Sequence, residues 1–182
     1  MSALRPLRFA AIAMLLALAF PSTSPADEPE GAEQAKKGID APAAFDLLKS
    51  LVGTWEQRDG ENSFVITYRL TANDSAVVET YGPGTEYEML SVYHLDGDQL
   101  RMTHYCAAGN QPRVILDQDA SSPEALVFAF DGGSNLDPAK DMHMHEGRLL
   151  LHDADHYTGE WTGYLDGKPS GTHAFEMTRV ED

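Results

Sequence analysis

One cysteine, Cys106, stands in 182 residues, so no internal disulfide can form and the fold must rest on its apolar core. Basic residues are scarce: 13 Lys plus Arg oppose 29 Asp plus Glu. That balance excludes a nucleic-acid or anionic-membrane surface, because such binding depends on Lys and Arg neutralising phosphates. The longest apolar run, Phe9 to Phe20, is 12 residues, short of the roughly 20 that a membrane helix needs. There is no Gly-rich phosphate loop, no Gly-x-Ser-x-Gly elbow and no basic aromatic stripe. Histidine is missing from the first half, and all seven lie between His94 and His173.

The first 26 residues have the layout of a cleaved export signal. Arg5 and Arg8 form a positive n-region, Phe9 to Phe20 the apolar segment, and Ser24-Pro25-Ala26 the small residues of a cleavage site. Cleavage after Ala26 implies a periplasmic or secreted protein without stable membrane insertion. It removes Arg5 and Arg8, leaving 11 basic against 29 acidic residues, a net charge of −18. Residues 27–40 are polar and predict a flexible tether, and residues 41–182 suffice for one domain with a core of its own.

Within that domain, Asp40 before Pro42 reads as a helix cap. Phe45, Leu48, Leu51 and Val52 recur at spacings of three and four, which predicts one short amphipathic helix ended by Gly53. From Thr54 the chain alternates short runs rich in Val, Tyr, Thr and Phe with Asp59-Gly60, Asp96-Gly97, Asp131-Gly132, Glu146-Gly147 and Asp166-Gly167, the dipeptides of tight hairpins. Ten strands are expected, near 54–58, 63–70, 75–81, 86–95, 99–106, 112–118, 124–130, 141–153, 157–165 and 172–180. So long an antiparallel meander avoids open edges by closing, so the fold class expected is an all-β up-and-down barrel of eight to ten strands.

Two segments carry a family resemblance. Gly53-Thr54-Trp55 at the first strand, together with Met177-Thr178-Arg179-Val180 at the end of the meander, resembles the calycin superfamily of lipocalin-like barrels. The resemblance implies that Arg179 packs over Trp55 to close one barrel end, as a guanidinium stacks on an indole. Tyr93-His94-Leu95-Asp96-Gly97-Asp98 and the run from Thr103-His104-Tyr105-Cys106 to Asn110-Gln111-Pro112-Arg113 are similar to small, exported, uncharacterised bacterial lipocalin-like proteins. That group brings no activity with it. The haem-ligating segment of nitrobindin-type barrels has no match here, so haem stands only as an alternative cofactor.

Alternation assigns the candidate site residues. Leu100, Met102, His104 and Cys106 share one strand face, and His173, Phe175, Met177 and Arg179 share another. A ligand cup lined by Phe64, Ile66, Tyr68, Met102, His104, Phe128, His173, Phe175 and Met177 follows, with Leu126 and Phe130 on the same inner face as Phe128. In Met142-His143-Met144-His145 either pair can face inward. If the histidines do, His143 and His145 with a third ligand from another strand, such as His104 or His173, would make a three-imidazole site for zinc or another transition metal, with one coordination position open. His104 with Cys106 is a further candidate, as a soft metal pair or a thiol and its base. His152-Asp153-Ala154-Asp155-His156 reads as an acidic turn, His94 as a rim residue and Arg113 as a loop residue beside Pro112. The expected function is an exported barrel that binds a small hydrophobic ligand or a metal ion. The alternatives are a metal-dependent enzyme and an inert structural or interaction protein of the cell envelope.

Overall fold

The computed structural model describes residues 38–60 and 62–181. The export signal expected over 1–26 and most of the tether lie outside the described residues. Gly38 to Asp40, placed in the tether by composition, are already docked: Ile39 is buried and its N–H donates to Gln118 O at 3.1 Å.

Helix α1 (Ala41–Ser50) begins where Asp40 accepts a hydrogen bond from Ala43 N, with proline in the first turn. Ala41, Ala44, Phe45 and Leu48 form its buried stripe. Val52, expected on that stripe, is exposed because the helix has ended and the chain is turning into the sheet. Ten strands follow: β1 (Gly53–Asp59), β2 (Asn62–Thr71), β3 (Ala76–Tyr81), β4 (Met89–Asp96), β5 (Gln99–Tyr105), β6 (Gln111–Leu116), β7 (Ala125–Ser134), β8 (His143–Leu151), β9 (His156–Leu165) and β10 (Lys168–Arg179). Each pairs antiparallel with its neighbour in sequence, and β1 pairs with β10 to close the barrel.

Closure leaves no unpaired edge but is uneven. β9 and β10 pair from Lys168↔Leu165 to Thr178↔His156 with one register shift between Pro169 and Gly171, whereas β1 and β10 meet only at Trp55↔Arg179 and Glu56↔Thr178. Trp55 is fully buried and its indole N–H donates to Leu51 O at 2.7 Å. The Arg179 guanidinium lies over the indole at 4.2 Å and donates to the carbonyls of Ala154, Val52 and Ser50 at 3.0, 2.9 and 3.0 Å. Helix α1 packs near the β4 and β5 ends that also lie at this closed end.

Two of the expected hairpin turns are not turns. Asp131-Gly132 lies within β7, opposite a register shift between Pro112 and Val114. Glu146-Gly147 lies within β8, beside a bulge between Met144 and Glu146. Gly147 serves packing, since a Cβ there would stand 2.2 Å from the Trp161 ring and 2.5 Å from Glu160 O. One turn with no Asp-Gly signal, between β2 and β3, places Ala72, Asn73 and Asp74 all at positive φ.

Candidate functional site: a recess at the open end of the barrel

Inner-face residues fill the closed half of the barrel completely. Tyr68, Met102, Phe128, Ile66 and Met177, expected to line a ligand cup, are instead core residues with at most 2% exposure. Tyr68 edges onto Tyr157 at 6.1 Å, and Phe128 stacks on Trp161 at 6.1 Å. The cup expected along the whole interior is therefore confined to the far end, because bulky side chains on nearly every strand meet at the middle of the barrel.

At that far end a recess of about 310 Å³ opens, walled by Phe64, Tyr81, Met89, Trp161 and Phe175 and by Met142, Met144 and Gly163, with His104, Cys106 and His173 supplying its polar atoms. Almost all of its surface is apolar. Phe64 and Phe175 stack at 5.2 Å and also border a smaller cleft at the β1–β10 seam. A wider groove of about 820 Å³ carries charged and polar groups, among them Glu56, Arg58, His152, His156 and Glu176. It is a polar corrugation on the side of the barrel that includes Arg179, away from the recess.

Below the recess lies a buried polar network. Alternation along β3 puts Val77, Glu79 and Tyr81 inward, and Glu79 is 1% exposed. Its carboxylate accepts from Tyr68 Oη at 2.5 Å and Tyr93 Oη at 2.9 Å. Tyr68 Oη also lies 3.1 Å from Tyr157 Oη. Among the described residues no Lys or Arg pairs with Glu79, and its phenol donors hold it instead. Burial pushes the Glu79 carboxyl up, opposed by its hydrogen bonds from Tyr68, Tyr93, Tyr81 and Ser91. Burial first, and the facing Glu79 carboxylate second, push the phenols of Tyr68, Tyr81 and Tyr93 well above their ordinary range.

His104 connects this network to the recess. It is 5% exposed, edges onto Tyr81 at 5.8 Å, and has Nδ1 at 3.0 Å from Ser91 Oγ. Among the described residues its Nε2 has no protein partner, and burial lowers its pKa from 6.5 to about 4. The ring is thus neutral at physiological pH and presents one unpartnered nitrogen to an apolar space. Sequence alternation placed His104 inward. It missed Glu79 and Ser91, although both stand at inward positions of β3 and β4.

The other histidines are distributed elsewhere. His173 sits at the mouth of the recess and is exposed rather than interior. In the stretch 142–145, whose facing alternation left open, the methionines line the recess, with Met144 opposite Gly163, while His143 pairs with Tyr164. His143 is nevertheless 1% exposed. Its Nδ1 meets Asp141 O at 2.8 Å, its Nε2 meets His145 Nδ1 at 3.0 Å, and His145 is sandwiched between Phe130 at 4.3 Å and Tyr164 at 3.8 Å. Phe130, expected inside, spends its ring on this stack. The structure therefore does not bring His104, His143 and His145 together. Among the described residues no three His, Cys, Asp or Glu side chains are grouped to hold a metal ion.

His152 and His156 flank the β8–β9 turn, where His156 Nδ1 lies 2.9 Å from Asp153 and His152 Nε2 lies 2.8 Å from Thr158 Oγ1. His94 is half-buried beside the β4–β5 turn, and Arg113 is exposed. No helix among the described residues is long and apolar enough to cross a membrane. No protein-family model matches the chain, and no curated protein sequence matches it.

Proposed function

We propose that this chain is an exported, calycin-like binding protein that holds one small, mainly apolar molecule in the recess at the open end of its barrel. The carrying observation is the pairing of an almost wholly apolar recess with the imidazole of His104, whose Nδ1 is engaged by Ser91 and whose Nε2 is hydrogen-bonded by no described residue. A volume of about 310 Å³ lies at the small end of the roughly 300–1,000 Å³ typical of ligand sites. The occupant is accordingly compact, with a hydrocarbon or aromatic body against Phe64, Trp161 and Phe175 and one polar group on His104. A neutral imidazole offers a hydrogen bond rather than a charge, which favours a hydroxyl, carbonyl or similar group over a carboxylate.

Support for the calycin assignment is the short helix, the closed antiparallel meander and the Arg179–Trp55 stack. Export rests on the charge and hydropathy pattern of residues 1–26. The test is titration of the purified chain with a neutral fluorescent naphthylamine probe. One probe is expected to bind per chain with enhanced emission. Met144→Trp, which fills the recess from β8, is expected to weaken it by at least about tenfold, equivalent to about 1.4 kcal/mol, with unchanged circular dichroism. Equal binding by the folded variant would overturn the reading.

A further inference from the structure

Sulfur is concentrated at the open end. Met89, Met142 and Met144 all line the recess, and so does the only cysteine. Two imidazoles, His104 and His173, face the same space. The β4–β5 ladder pairs Ser91 with His104 and ends at Leu90↔Tyr105. Met89 opens β4, and Cys106 follows directly on β5. His104 precedes Cys106 by two residues, and both line the recess. A thioether, a thiol and an imidazole thus share one wall, and two more thioethers come from the β8 side of the recess.

We propose that Met89, His104 and Cys106, completed by a thioether from Met142 or Met144, form a binding site for one soft monovalent metal ion, Cu(I) being the biological candidate. Donor chemistry carries the choice. Thiolate and thioether ligands select Cu(I), whereas Zn(II) takes thiolate, imidazole and carboxylate, and no group of three His, Cys, Asp or Glu side chains exists among the described residues to serve it.

The surroundings prepare both stronger ligands. Ser91 stands opposite Glu79 on one ladder and His104 on the other, and its Oγ lies 3.0 Å from His104 Nδ1. With Oγ accepting from Nδ1–H, Nε2 keeps its lone pair toward the recess, as outer partners fix the tautomer of metal-bound histidines. At Cys106, the Ala108 N–H donates to Sγ at 3.5 Å and orients the thiol. Binding displaces the thiol proton to water. The site does not depend on the apolar-ligand reading, since it rests on the donor atoms of the recess lining themselves.

The test is anaerobic titration of the reduced full-length protein with Cu(I) against a chromophoric Cu(I) chelator, with Ag(I) as a redox-inert surrogate and Zn(II) as control. One equivalent of Cu(I) and of Ag(I) per chain is expected, with Zn(II) bound at least about a hundredfold more weakly. Cys106→Ser and the near-isosteric Met89→Leu are each expected to lower Cu(I) affinity about tenfold or more. X-ray absorption of the loaded protein is expected to show sulfur together with nitrogen scatterers. The naphthylamine probe, run on the same variants, reports that the recess is intact. No Cu(I) retained, equal retention by both folded variants, or Zn(II) bound as tightly would each overturn the metal site. Probe binding would stand or fall separately.

Discussion

A histidine buried between a serine and an apolar recess titrates against the fold. Burial lowers the His104 pKa from 6.5 to about 4, so between those values the unfolded chain binds a proton that the folded chain does not. The stability that depends on a neutral His104 is complete above pH 6.5, is lost as pH falls, and bottoms out near pH 4, a loss of about 3 kcal/mol. Glu79 has the opposite sign: its raised folded pKa gives stability present below the unfolded value and lost as pH rises through the folded one. Urea unfolding at pH 7 and pH 4 is expected to show the acid loss in the wild type, and His104→Gln is expected to remove about 3 kcal/mol of the difference. An identical acid loss in the variant would show that His104 does not titrate this way. At this scale the sequence was legible where alternation was unbroken, as for His104, Cys106 and Phe175. It was misleading at Gly147, where Glu-Gly resembles a turn but the missing side chain makes room for Trp161.

Strands and helix emerged with boundaries close to those expected, because alternation, β-branched content and the Asp-Gly turns at 59–60, 96–97 and 166–167 agree with one another. The β8 register was not decidable locally. Met-His-Met-His alternates two residue types that both tolerate burial, and the choice falls to the ladder with β9, which sets Met144 against Gly163 and His143 against Tyr164. The weakest element pairing is β1 with β10, in register at only two positions, and Arg179 holds it by one indole stack and three carbonyl bonds. Arg179→Ala is expected to cost about 3 kcal/mol and to accelerate amide exchange first in Trp55, Glu56 and Thr178. Arg179→Lys, with a charge but no planar fork, is expected to fall between the two. Exchange that accelerates uniformly over the barrel would contradict a local role at the seam.

Over the whole molecule, 29 acidic residues face 13 basic ones, and the ion pairs are mostly at exposed side chains such as Lys49–Asp46 and Lys140–Asp137. Pairs of that kind contribute little, so net repulsion acts against the compact state. Raising NaCl from about 0.01 to 0.15 M, which shortens the Debye length from about 30 to 8 Å, is expected to stabilise the protein by about 1 kcal/mol, read as a higher urea midpoint. A midpoint that falls with salt would mean that local attraction outweighs the net charge.

Composition and period alone determined an acidic chain without disulfides, one short capped helix and ten antiparallel strands, because each is written in neighbouring residues, whereas the Trp55–Arg179 pair was implied by the resemblance to calycin barrels. Only the tertiary structure decided that Tyr68, Met102 and Phe128 fill the barrel instead of lining a cup, that His143 and His145 bind each other within an aromatic stack, and that a carboxylate, a serine and an imidazole line up beneath a sulfur-rich recess. The physical reason is that strand period assigns a side chain to a face, whereas the height at which it meets others inside a closed barrel depends on the register of every ladder around it.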